Sequence, residues 1–529
     1  MSLALDRAVR VDRLLPVLVS GVVFGVAVWA ATVYAVGVFH DDGVYVILAK
    51  SLANGDGYRY LHIPGAPSST HYPPGYPLLL AVLWKFAPAF PQNIGVFLIA
   101  NALMLALVAW GTLAFARRAL QWSLAAAASA ALVATLSYPL LMLSGYLLSE
   151  PMFAALLLPA LMAAEGLARA EAPPARAALV GAAAGALMLV RTHALALVLA
   201  VVVVLVWRKR WRTAALVAVA AVAVVAPWQL SIATHDTALV EGTRGAYGSY
   251  AAWMSEGLRS GGLELFLGAV TANVREIGSL LADRFSISDR SAIRVATSVV
   301  AGVLLLTGGA RALHRAPVTA AFTAIYLCIL LVIPYGPWRY IFAIWPLVVL
   351  FLGEAARWAS ELRPRHRAPA MVVFAALFVL AIGMGRTEAR SYSQRAWRGP
   401  ARAATEQIAP LVRWVATRTR PDDVVAVDGE QLVYLFTGRR AVPIVPFTAA
   451  EYLHPRSVAT NAASMRQLLL DVPVSFVLTI QPAFHASATM LVAANDSSRA
   501  RSARLVPVDA LPGGGVFRVE RRDSPPTQQ

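Results

Sequence analysis

The stretch VGVFHDDGVYVILAKSLANGDGYRY, residues 36–60, decides how the rest of the chain is read. An apolar run that approaches the length of a membrane span stops at two adjacent carboxylates, Asp41 and Asp42, and polar, glycine-rich sequence follows. Two like charges at a helix end are either solvated there or the start of a reaction centre. The same loop goes on to His62, His71 and the turn Tyr72-Pro73-Pro74-Gly75-Tyr76, which sets several polar side chains beside stiff backbone. Between them, DGVYVILAKSLANG (42–55) has near-helical apolar spacing and ends in Asn-Gly, so a short amphipathic helix on the membrane surface is expected.

The composition explains why a membrane is the setting. The chain has 529 residues, of which 58% are hydrophobic and only 14% charged, with a mean hydropathy of +0.62. Such a chain places most of its mass in lipid. A net charge of +17 would suit a nucleic-acid partner only if the basic residues gathered on one exposed face. They lie instead in short clusters between apolar runs, as cytoplasmic loops of membrane proteins do, which argues against nucleic acid. Lys50, Lys85 and Lys209 are the only lysines, and the arginine- and alanine-rich remainder points to a GC-rich bacterial genome. The single Cys328 excludes a disulfide framework. The first apolar segment follows Arg7, Arg10 and Arg13 and has no small-x-small cleavage site before His40, so it reads as a retained signal anchor.

Eleven apolar runs are compatible with spanning: 14–38, 94–116, 122–142, 150–168, 177–190, 194–207, 213–233, 293–310, 317–334, 339–353 and 369–385. The fifth and sixth are short and separated only by Arg191-Thr192-His193. Read as two helices, they leave Arg7/Arg10/Arg13, Arg117/Arg118, Arg169/Arg176, Arg208/Lys209/Arg210/Arg212, Arg311/Arg315 and Arg357/Arg363/Arg365/Arg367 all on one side, as the positive-inside bias requires. The amino terminus is then cytoplasmic. Residues 39–93, 234–292 and 386–529 lie outside.

The expected organisation is a mainly α, polytopic transmembrane domain over 1–390, with extracytoplasmic loops 39–93 and 234–292, followed by a domain over 391–529. In that last part PDDVVAVDG (421–429), RRAVPIVP (439–446), PVSFVLTI (473–480) and GVFRVER (515–521) are β-rich. They alternate with the helical stretches 401–418 and 464–471, which predicts a small α/β domain. VAVDGEQ resembles a nucleotide-binding strand end, but no glycine-rich loop follows it.

Further candidates lie on the same expected outer face. Glu150, in LLSEP, starts the fourth span; it is either a helix-terminal acid beside Pro151 or a partner in a cleft shared with the Asp pair. Arg191 and Arg339 suit phosphate, because guanidinium pairs with it through two parallel hydrogen bonds and is weakly hydrated. Trp338 and Tyr340 beside Arg339 alternatively form part of an aromatic belt. His235 and Asp236 are weak metal candidates, while the carboxylates of Asp41, Asp42 and Glu150 would suit a divalent cation.

The order of these features resembles the GT-C superfamily of membrane glycosyltransferases, in the branch of protein O-mannosyltransferases and the lipid A aminoarabinose transferase. The resemblance rests on FHDDGVYVILAKSLANGDGYRY (39–60), YPPGYPLLLAVLW (72–84), LVRTHALALVLA (189–200), APWQLSIATHD (226–236) and RYIFAIWPL (339–347), and covers roughly residues 10–390. It implies a sugar donor on a polyprenyl phosphate and transfer to a hydroxyl of a lipid, polysaccharide or protein acceptor, outside the cytoplasmic (inner) membrane of a bacterium. Asp41 would be the base, free or metal-linked, with Asp42 as its partner. Glu150 would orient the acceptor or hold a cation; Arg191, Arg339 and Tyr340 would bind the donor phosphate. His62, His71 and Tyr72 would contact the acceptor or shape its loop. A transporter or flippase of a lipid-linked sugar is the alternative, although no internal repeat is evident and the acids lie at the boundary rather than in mid-span.

Overall fold

The computed structural model describes residues 2–235, 239–362, 367–494 and 503–521. Asp236, Arg363 and Arg365 lie outside the described residues, as do the side chains of Arg7, Arg10 and Arg13. The chain forms two compact units, one of Met1–Thr32, Gly95–Trp228 and Phe266–Arg398, the other of Val33–Ile94, Gln229–Leu265 and Gly399–Gln529.

The first unit is a helical bundle. Among the described residues, six helices are long and apolar enough to cross a membrane: Ile94–Arg118, Glu150–Arg169, Trp211–His235, Tyr250–Phe285, Ser291–Arg315 and Arg367–Gln394. Leu124–Thr135 and Tyr138–Ser144, bent by 61°, make a seventh if they are one span. Other expected crossings coincide with shorter apolar helices, Leu14–Ala30, Pro174–Met188, Thr192–Trp207 and Pro317–Val332. The first helix ends at Ala30, so the expected span 14–38 is too long by several residues. Two helices, Pro174–Met188 and Trp211–His235, approach through Gly181 and Gly185: a methyl group on Gly181 would stand 2.3 Å from the Val217 carbonyl oxygen. That close approach is the use of small residues four apart where no hydrophobic effect drives helices together.

The basic loops meet at one end of this bundle. Arg169 donates to the carbonyls of Ala119 and Arg315, Arg208 to Ala168, and both Arg315 and Arg357 to Leu120. Glu361 pairs with Arg311, Arg315 and Arg357. Clusters far apart in sequence thus satisfy the carbonyls at one another's helix ends.

From Phe266 the stretch 234–292 belongs to the helical unit. Its helix Tyr250–Phe285 breaks from helical geometry at Gly262. Beyond the break, Asn273 donates to the carbonyls of Leu330, Leu331 and Ile333, Glu276 accepts from the Trp338 N–H, and Arg284 pairs with Glu388.

The second unit contains a five-stranded sheet, β1 (Val424–Val427), β2 (Arg440–Val442), β3 (Phe476–Thr479), β4 (Ala503–Leu511) and β5 (Gly514–Arg521), in the order β2-β1-β3-β5-β4. β1 is parallel to β2 and β3, and β5 is antiparallel to β3 and β4. Alternate residues of β1 enter opposite cores, Val424 and Ala426 one, Val425 and Val427 the other. Burial on both faces explains why the central strands read as unbroken apolar runs. The expected strands are present; β4 is an addition.

Candidate functional site

Within the second unit the acidic pair begins a helix instead of ending one. Asp41 and Asp42 are the first two residues of Asp41–Asn54, where carboxylates favour the helix dipole. This helix is not the expected amphipathic surface element, because every residue from Asp42 to Ala49 is buried. The two acids have different surroundings. Asp42 is fully buried, and its Oδ2 accepts the Gly37 N–H at 2.9 Å and its Oδ1 the Phe39 N–H at 3.1 Å. Burial pushes its carboxyl up to about 6 against the opposing pull of these bonds. Asp41 is half-buried and its Oδ1 accepts the Tyr72 hydroxyl at 2.9 Å.

The α/β part braces this turn. Gln431 Nε2 lies 2.5 Å from His40 Nδ1 and donates to the Tyr247 hydroxyl at 2.7 Å, and Tyr247 donates to Glu430 Oε1 at 2.6 Å. His71 Nδ1 lies 2.6 Å from the Gly248 carbonyl, anchoring the 58–72 segment. His62 packs inside the unit. It is fully buried among Tyr60, Tyr247 and Tyr434, and burial lowers its pKa to about 3, keeping the ring neutral.

Within the first unit, Glu150 starts the helix Glu150–Arg169 at the end opposite its basic terminus. It is 1% exposed, and Oε1 receives Arg339 Nε at 2.8 Å and lies 3.0 Å from an Arg191 terminal nitrogen. Arg191 also donates to Ser149 Oγ at 3.0 Å and lies over the Tyr340 ring, 4.7 Å from its centroid. Arg339 comes from the short helix Trp338–Ala343 and Arg191 from the break before Thr192–Ala194, so interrupted helices deliver both guanidinium groups. His193 stacks on the other partner of this group, Tyr340, at 4.6 Å.

The expected divalent-cation set does not fit. Both oxygens of Asp42 are taken by backbone N–H groups, and a cation at Glu150 would face two guanidinium groups. Among the described residues no three His, Cys, Asp or Glu side chains gather to hold a metal. Sequence reasoning passed over Ser149, His193, His40, Tyr247, Glu430 and Gln431 as site residues. His40 in FHDD, Ser149 in LLSEP, His193 in the Arg-Thr-His break, and Glu430 and Gln431 in VAVDGEQ lay in motifs already quoted; Tyr247 did not.

No protein-family model and no curated protein matches the chain. Solved structures do. Crystalline ArnT from Cupriavidus metallidurans bound to undecaprenyl phosphate aligns over 96% of this chain and 97% of its own, with a TM-score of 0.51 at 14% identity. The archaeal oligosaccharyltransferase AglB from Archaeoglobus fulgidus, in complex with an inhibitory peptide and a dolichol-phosphate, aligns over 90% of this chain and 71% of its own, with a TM-score of 0.54 at 13% identity. The chain has the GT-C fold. Its several apolar helices, with this fold, make it a multi-pass membrane protein.

Proposed function

We propose that this GT-C protein moves a sugar from a polyprenyl-phosphate donor to a hydroxyl of a cell-envelope acceptor, outside a bacterial inner membrane. The observation that carries the reading is the buried Glu150 carboxylate holding Arg191 and Arg339 together at the non-basic end of the bundle. Paired guanidinium groups in a water-poor setting suit a lipid phosphate. Neighbouring structures of the same fold were solved with undecaprenyl phosphate and dolichol-phosphate, which supports the donor class. The assignment extends to eleven crossings, a cytoplasmic basic end and an extracytoplasmic carboxy-terminal domain, since the arginine clusters from Arg7 to Arg367 recur at alternate ends of the apolar runs.

In this reading the acceptor oxygen attacks the anomeric carbon while Asp41 takes its proton. The bond from that carbon to the phosphate oxygen breaks, and the polyprenyl phosphate leaves with the electron pair, its charge met by Arg191 and Arg339. One displacement inverts the anomeric centre and needs no covalent intermediate. Asp42 holds the turn through Gly37 and Phe39; Glu150 positions the arginines and takes no proton.

The test is incubation of purified protein with radiolabelled polyprenyl-phosphate sugars and a cell-envelope extract. Label moved onto an acceptor supports the enzyme. Intact lipid-linked sugar carried across liposomes without transfer would replace this reading with a flippase.

A further inference from the structure

In the helical unit, the Tyr340 ring carries the Arg191 guanidinium and also the His193 imidazole, tilted by 35° with 4.6 Å between ring centroids. His193 is fixed in a single 3-10 turn, Thr192–Ala194, in which the Ala194 N–H donates to the Arg191 carbonyl. Tyr326 flanks it at 6.1 Å, and the Tyr326 hydroxyl donates to the Tyr340 carbonyl. The imidazole is 8% exposed, and its Nε2 is buried with no hydrogen-bond partner among the described residues. A buried polar nitrogen left unmatched costs free energy, so its retention asks for a ligand. The same turn presents Arg191 to Glu150 and, through Glu150, to Arg339.

We propose that His193 is a further phosphate-binding residue of this cluster, donating from Nε2–H to an oxygen of the polyprenyl phosphate. The inference rests on the donor reading above and deepens it. A neutral imidazole adds a directional donor without adding a third positive charge to a buried site. As the bond to the anomeric carbon breaks, negative charge grows on the phosphate, so this hydrogen bond strengthens most for the departing monoester.

Binding of radiolabelled undecaprenyl phosphate to the purified, detergent-solubilised protein tests this. His193→Phe keeps the stack on Tyr340 and lacks the donor; His193→Gln can present an amide N–H in its place. The expected result is a Kd raised roughly tenfold or more in His193→Phe, the loss of one hydrogen bond to a charged acceptor, with His193→Gln within about threefold of the parent. Parent-like binding by His193→Phe would overturn the proposal, as would equal loss in both variants, which would make the residue packing alone. If His193→Phe does not fold, His193→Met serves as the donor-free variant. Displacement by inorganic phosphate at matched concentration would assign the site to free phosphate and overturn the lipid-carrier assignment. Absence of binding by the parent protein would remove the donor reading itself; binding that is lost in Arg339→Gln and kept in His193→Phe would remove only this inference.

Discussion

Leu432 closes on Gly37 so tightly that a methyl group on Gly37 would stand 2.6 Å from the Leu432 Cβ. The glycine has a φ of +111°, and its N–H is one of the two that Asp42 accepts. One glycine thereby joins the α/β part, the turn before the acidic helix and the buried carboxylate. Gly43 repeats the relationship, because a methyl group there would meet the Gln431 Cβ at 2.6 Å.

Gly37→Ala should therefore lose about 1–3 kcal/mol of stability from strained backbone and overpacking, and should disturb Asp41 through the turn. Thermal unfolding in detergent reads the first effect. An unchanged melting temperature would show that the turn has room the packing denies.

Asp42 should give stability a pH slope. Its folded pKa of about 6 exceeds the ordinary aspartate value of 3.8, so between these values the folded state holds a proton that the unfolded state has released. Stability from this group is present below about pH 4, falls as pH rises to about 6, and is flat above, a total of roughly 3 kcal/mol. Asp42→Asn should remove that slope while losing about 1–3 kcal/mol, because the Gly37 N–H is left with an amide that cannot accept through both arms. Unfolding curves from pH 4 to 8 check both.

The fold was legible where burial imposes a pattern. Basic loops recur between apolar runs because arginine is costly in lipid, and the structure brings Arg315 and Arg357 to the Leu120 carbonyl and Arg169 to the neighbouring Ala119 carbonyl. β1 and β3 show as apolar runs because both faces are covered. β4 escaped because an edge strand need not be apolar, and its register shifts between Pro507 and Asp509. For the site, residue type picked out Asp41, Glu150, Arg191 and Arg339, since charge near a membrane is rare. Their partners were not legible: Gln431 meets His40, and Leu432 meets Gly37, only through the fold. The burial of His62 has the same origin, for a loop histidine carries no local sign of the three tyrosines that enclose it.

Removing Glu150 should cost more than removing either arginine's other contacts. Glu150→Ala leaves two nearly buried guanidinium groups without their shared carboxylate, a loss of about 3–5 kcal/mol. Glu150→Leu with Arg191→Met and Arg339→Met should recover much of that stability and none of the phosphate binding. Melting temperatures of the two proteins, with undecaprenyl phosphate binding alongside, make the comparison; equal stability would mean the carboxylate contributes little.

Topology has its own check. A phosphatase reporter fused after Gln529 should be active outside the cytoplasm, whereas one fused after Arg212 should be inactive there. Activity from the Arg212 fusion would reverse the assignment of the basic end.

Sugar transfer by Asp41→Asn tests the central claim most directly. With radiolabelled polyprenyl-phosphate sugar and a responsive acceptor, the folded variant should transfer about 10²–10⁴-fold more slowly than the parent while still binding undecaprenyl phosphate. Transfer at the parent rate would contradict the account, because the acceptor proton would then have another destination.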